Sequence, residues 1–149
     1  MALKPHVFPP GVLIGVEPCE RARRLGLING LTIFPDCGQE LHFLDAFFDL
    51  VFCCGVLIHC ELEEAQKIVR EMNRVSKRLL MFMEYWNEED VEVPYRKETN
   101  LLWTRPWSKH FKAWGLGDPM FSGFLNQEMG FDNVTFWIYS KKQEMPPYA

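Results

Sequence analysis

With 149 residues, 48% hydrophobic content and a net charge of −4, the chain has the size and composition of one folded domain with a sizeable core, not of a disordered or highly charged segment. The acidic balance with scattered Lys and Arg, among which "RARR" at 21–24 makes one small basic turn, argues against a nucleic-acid groove. No stretch approaches the ~20 apolar residues of a membrane span, and "MALKPHVFPPG" lacks the charged-then-apolar order of a secretory signal, so the sequence reads as cytoplasmic.

In chain order, "VLIGV" at 12–16 reads as a strand that ends on a single acid, Glu17. "PCERARRLG" follows as a short helix, with Pro18 suited to its first turn, arginines on a wet face and Gly26 placed to stop it. "LTIF" at 31–34 is a brief β-branched and aromatic strand closed by Pro35 and the turn-prone "DCG". The run "FFDLVFCCGVLI" at 47–58 is almost continuously apolar, which predicts a strand covered on both faces, ending near Gly55 and forming the most interior segment of the chain. Cys19, Cys37, Cys53, Cys54 and Cys60 are odd in number and contain no CxxC pair, so they read as free, mostly buried thiols, with Cys53 and Cys54 on opposite faces of one strand. Their spacing around His59 does not suit zinc, and no metal site is expected.

Between 61 and 77, Leu62, Ala65, Ile68, Val69, Met72 and Val75 recur at intervals of three and four, the stripe of an amphipathic helix. The apolar run "RLLMFMEYW" then again ends on an acid, Glu84, and strand, helix, strand is the grammar of a βαβ unit in a mostly parallel sheet. Residues 87–117 turn polar, aromatic and irregular; a connection of this length implies a task and its own short helix near 108–114. Alternation at 134–139 marks a late strand, antiparallel if it forms a hairpin with "MFSGFL". There is no internal repeat and no P-loop, nucleophile elbow or HExxH helix, and the chain reads as a single domain, 1–149, with 87–117 as an insert.

Taken together, "FFDLVFCCGVLIH", the amphipathic helix, "NRVSKRLLMFMEYWN", "VEVPYR" and "LLWTRPW" resemble the class I S-adenosylmethionine-dependent methyltransferases, most closely the methylases associated with pseudaminic acid and related nonulosonic sugar biosynthesis. The resemblance covers roughly 12–105 and, more weakly, the final strand. It implies an α/β, Rossmann-like, mostly parallel sheet with one antiparallel strand, S-adenosylmethionine as cofactor, and a small molecule or nucleotide sugar as methyl acceptor. By the same resemblance Glu17 accepts hydrogen bonds from the ribose hydroxyls, Asp36 or Cys37 faces the adenine amino group, and Cys54 and Gly55 lie beside the methionine part. His59 is the candidate base for the acceptor, because imidazole is the side-chain base suited to neutral pH, with Glu84 and Tyr85 leaving their strand toward the same side. Tyr95, Arg96 and Arg105 are candidates to clamp phosphates or a carboxylate, and Trp103, Trp107 and Trp114 either cover a substrate or bury the insert.

One element of the family is not found. Only about eleven residues precede the first strand, and they hold neither an apolar run of strand length nor a glycine-rich turn, so the expectation is a truncated sheet without its first strand. Three outcomes follow: the strands at 12–16 and 47–58 pair directly, a second copy of the chain supplies a strand in a homodimer, or the chain is a natural fragment that folds poorly alone; rearrangement or a dimer is the expectation. The alternative function is a non-catalytic binding or regulatory protein, oligomeric, that keeps the sheet.

Overall fold

The computed structural model describes residues 11 and 13–141, and the chain divides into two structural units, residues 1–38 and 39–149. In the first unit β1 (Ile14–Val16), α1 (Glu20–Ile28) and β2 (Thr32–Phe34) form a small βαβ unit, β1 and β2 pairing in parallel. Val12, expected in the first strand, lies outside the described residues. Pro18 precedes the helix instead of opening it; Cys19 is the N-cap. Gly26 does not stop the helix either. It sits inside α1 because β2 packs there: a Cβ at this position would stand 2.1 Å from Ile33 Cδ1. The chain reverses at Gly30, whose φ is +76°.

The second unit runs β3 (Phe48–Cys54), a 3-10 turn (Leu57–His59), α2 (Leu62–Val75), β4 (Ser76–Glu84), β5 (Val91–Glu92), β6 (Trp103–Thr104), α3 (Trp107–Ala113), β7 (Phe121–Leu125) and β8 (Val134–Ser140). Its main sheet has the order β3-β4-β8-β7, with β3 parallel to β4 and β8 antiparallel to both its neighbours, while β5 and β6 form a separate two-stranded ribbon. The expected hairpin of β7 with β8 is present, and β8 is the one strand running against the rest of its sheet.

Helix α2 forms where the apolar stripe predicts it. Its first turn is closed by a capping box in which Glu61 and Glu64 exchange side-chain-to-backbone bonds. Ala65, Ile68, Val69, Met72 and Val75 are buried, and each of the larger ones contributes on the order of 1.5–3 kcal/mol by leaving water; Leu62, at the start of the stripe, stays partly exposed. At the other end Lys141 Nζ donates to the carbonyls of Asn73 and Ser76, each at 2.7 Å, satisfying acceptors the helix leaves open.

Strand β4 alternates between two faces. Leu80, Phe82 and Glu84 turn into a core made by Ala65, Ile68, Val69 and Met72 of α2, Trp107 and Phe111 of α3, and Trp137 and Tyr139 of β8. Because these helices pack on the same face, β3 is not covered on both sides as its composition predicts. Val51 and Cys53 point to the core, whereas Leu50 is 46% and Phe52 39% exposed, and Cys54 is exposed as well. Within the second unit β3 ends the main sheet and, among the described residues of that unit, bonds only to β4. The five cysteines are free, but Cys19, Cys37 and Cys54 are exposed and only Cys53 is fully buried.

Candidate functional site

In a parallel sheet, side chains gather where strands end and the chain must leave, so the carboxyl ends of β3 and β4 are the place to look in the second unit. Strand β3 stops at Gly55, which adopts φ +63° and donates its N–H to the Met83 carbonyl at 2.8 Å, prolonging the pairing by one bond. A side chain would resist this left-handed backbone, so the glycine in "CCGV" is a requirement of the turn. The turn that follows carries His59 to the surface while Leu57 and Ile58 are buried.

His59 has one nitrogen committed. Its Nδ1 lies 2.7 Å from the Leu101 carbonyl oxygen, which can only accept, so Nδ1 carries the proton and the neutral ring keeps its lone pair on Nε2. The ring stands 5.5 Å from that of Tyr95, and the Arg96 guanidinium lies over the Tyr95 ring at 5.0 Å. Tyr95 and Glu98 exchange two backbone bonds of 3.0 Å around a tight turn in which Arg96 and Lys97 both take positive φ, 52° and 70°. His59, Tyr95 and Arg96 are thus brought together by two segments far apart in sequence.

Glu84 is not at the surface with them. The periodicity that buries Leu80 and Phe82 also buries Glu84, which is 0% exposed, and its oxygens accept from the backbone N–H groups of Val56 (3.1 Å), Leu57 (3.2 Å) and Ile58 (3.2 Å) and from the Cys53 thiol (3.5 Å). Burial pushes its carboxyl up to about 7, against the pull of the three N–H groups. Tyr85 is half-buried, burial raising its phenol above the ordinary value, and its carbonyl accepts from Trp107 Nε1 at 3.0 Å. The expected placement of Glu84 beside Tyr85 on a substrate side is therefore corrected for Glu84: it faces inward.

Arg105 is corrected likewise. It is 4% exposed, donates to the Cys60 carbonyl at 2.7 Å, lies 3.4 Å from Asp90, and is flanked by the Trp103 and Trp107 rings at 5.0 and 5.3 Å. Its donors serve the core, not a phosphate. His110, stacked on Trp114, meets the same Asp90 at 3.0 Å, and Trp107 is fully buried, so the tryptophans bury the insert. The alternation in "WTRPW" is the signal from which a Trp-Arg-Trp sandwich could have been read; nothing in the sequence points to the Leu101 carbonyl.

The first unit carries the other three candidates. Glu17 follows β1, its N–H bonded to the Phe34 carbonyl at 3.0 Å; its Oε1 accepts from the Cys19 N–H at 2.8 Å, and its backbone carbonyl accepts from Arg23 Nη1 at 3.0 Å. The side chain is half-buried and its Oε2 makes no bond among the described residues. Asp36, half-buried, and Cys37, exposed, lie just past β2.

A family profile described as a methyltransferase domain matches residues 11–79. Comparison with curated proteins finds no match. Among solved structures, the chain is similar to the 1,6-didemethyltoxoflavin-N1-methyltransferase of Burkholderia thailandensis, solved with 1,6-didemethyltoxoflavin and S-adenosylhomocysteine, at TM-score 0.70 and 12% identity over 89% of this chain and 62% of that one. It is similar to an S-adenosylmethionine-dependent methyltransferase from Methanosarcina mazei at TM-score 0.70 and 15% identity, covering 88% of this chain and 82% of the other. Magnesium protoporphyrin IX methyltransferase from Synechocystis, solved with S-adenosylmethionine, follows at TM-score 0.60 and 14% identity, covering 87% and 59%. The α/β architecture with its mixed sheet is therefore the Rossmann-like methyltransferase fold.

Proposed function

We propose that the chain is an S-adenosylmethionine-dependent methyltransferase acting on a hydroxyl or amine of a small molecule, with a nucleotide sugar as the finer choice. The observation that supports this most is the group at the carboxyl end of β3: a left-handed glycine beside a histidine whose Nδ1 proton is fixed by the Leu101 carbonyl and whose Nε2 makes no bond among the described residues. When bound, S-adenosylmethionine supplies a sulfonium methyl, and transfer needs the acceptor in line at about 3–3.5 Å more than it needs strong acid or base. The chain's part is then to hold and orient. Glu17 accepts from the ribose hydroxyls, its Oε2 making no bond among the described residues. Asp36 or Cys37 meets the adenine amino group, and the backbone at Cys54 and Gly55, without a bulky side chain at Gly55, admits the methionine part. His59 Nε2 takes the proton from the acceptor, and Tyr95 with Arg96 holds its anionic group. Free cysteines suit a reducing, cytoplasmic setting.

Calorimetric titration with S-adenosylmethionine and S-adenosylhomocysteine tests the reading. Saturable binding, weakened at least tenfold by Glu17→Ala, is expected; no heat at millimolar ligand removes the enzyme. A second reading, a non-catalytic protein that self-associates as a homodimer, is favoured by the outer edge of β3, which within the second unit has no strand partner among the described residues, with Leu50 and Phe52 exposed beside it. Sedimentation separates the two: a dimer that ignores the cofactor supports the second, a monomer that binds it the first.

A further inference from the structure

We propose that Glu84 is a positioning residue, which grips the amides of Val56, Leu57 and Ile58 from beneath and so fixes where the His59 imidazole stands. The inference rests on the reading of His59 as the base, but its geometry is independent of any cofactor.

Three consecutive N–H groups at the start of a short helical turn have no partner within the turn and need an outside acceptor. Ordinarily a serine or aspartate just before the turn provides it. Here that residue is Val56, with no side chain able to cap. The acceptor comes instead from β4: Glu84 Oε1 takes Val56 and Leu57, and Oε2 takes Ile58, at 3.1 to 3.2 Å. His59 follows directly, and its second anchor is the Leu101 carbonyl. The imidazole is held between these two points, one on the strand before the insert and one within it.

What marks the arrangement as more than a plug is the choice of an ionisable acid. Glu84 is wholly buried and its bonded partners are three amides and a thiol, with no cation among them; the nearby Arg105 turns to the Cys60 carbonyl and Asp90. Removing a carboxylate from water without a counter-charge is costly, and a neutral acceptor would hold a purely structural turn with less penalty. Acids kept under such conditions concentrate where proteins do chemistry. The ionisable groups that feel its charge are the thiols of Cys53, which bonds to it, and of Cys54 and Cys60, and the phenol of Tyr85, all pushed up by burial and uncharged at neutral pH. Glu84, with its carboxyl near 7, is the member of the set whose charge changes there. Ionisation strengthens all three amide bonds, protonation weakens them, and the seat of His59 tightens as pH rises.

Amide NMR of the ligand-free protein between pH 5 and 9 tests this, with Glu84→Gln and His59→Gln measured alongside. In the wild type the Val56, Leu57 and Ile58 amides should shift with one inflection between pH 6 and 8, and the inflection should persist in His59→Gln. Glu84→Gln should abolish it, raise amide exchange at these three positions at least tenfold while Leu80 and Phe82 keep theirs, and move the ring resonances of His59 but not of His110. Amides that do not titrate in the wild type, or His59 resonances unchanged in Glu84→Gln, overturn the proposal. If Glu84→Gln does not fold, the titration of the wild type and His59→Gln decides alone. A clear inflection together with silence in calorimetry would remove the methyltransferase reading and leave the grip of Glu84 standing.

Discussion

At the scale of single residues, burial separates two charged side chains from the roles their sequence positions suggest. An acid at the end of an apolar run reads as the point where a strand meets water, and Glu17 stands half-buried just past β1 with its Oε1 bonded to the Cys19 N–H. Glu84 has the same local sequence, yet lies inside because β4 keeps its alternation to the last residue and α2 and α3 both pack on that face. Whether a strand end is roofed depends on elements far away in sequence, so the difference was not legible. Arg105 shows the same limit: a lone arginine in an irregular stretch suggests a substrate clamp, and only the packing of Trp103 and Trp107 about it reveals a core residue. Arg105→Met, which keeps the stem between the rings and removes the donors, should cost about 2 kcal/mol by leaving the Cys60 carbonyl without its bond, measured by urea unfolding. Cofactor affinity should not change; a loss of affinity in a variant of undiminished stability would return Arg105 to the ligand.

Elements were read most securely where the pattern is local. The stripe of α2 specifies a helix without reference to anything else, and the helix lies within the stretch the spacing marks out. The alternation of β8 and the preceding "MFSGFL" likewise suffice for a hairpin. Strand β3 lies where its apolar run puts it, but such a run cannot tell a strand covered on both faces from one with a bare face, since both faces are apolar in either case. Glycines divide in the same way. Gly26 looks like a helix stop and is a contact with Ile33, whereas Gly55 ends its strand as expected because its left-handed φ is a property of the turn itself. Gly55→Ala should therefore destabilise the second unit by roughly 1–2 kcal/mol, the cost of a side chain in the left-handed region. Thermal unfolding would show it as a lower midpoint, with exposed Cys54→Ala as a near-neutral control next to it; equal midpoints for the two variants would mean the turn relaxes freely.

For the molecule as a whole, two carboxylates should shape stability in opposite directions, and both belong to the second unit. The folded carboxyl of Glu84, near 7 against an ordinary value of 4.5, keeps its proton where the unfolded chain has released it. Its stabilisation is full at pH below the unfolded value, declines as pH rises toward 7, and is flat beyond, a total fall of roughly 3 kcal/mol. Glu71 is the reverse case: hydrogen bonds from Arg74, which also ties down the Leu41 and Phe43 carbonyls, hold it below the ordinary value, so its contribution is present above that value and lost as pH falls through the lowered one. The opposed slopes of these two groups meet near the ordinary carboxylate value, and above it the Glu84 slope governs. All five tryptophans lie between Trp86 and Trp137, so their fluorescence follows the unfolding of the second unit without interference from the first. Urea midpoints taken that way should be lower at pH 8 than at pH 5, and the difference should vanish in Glu84→Gln, whose side chain has no proton to lose. A wild-type midpoint that stays level or rises between these pH values would mean that the amide donors of the His59 turn outweigh burial, leaving Glu84 ionised throughout, and the pH-dependent grip proposed for it would fall with that result.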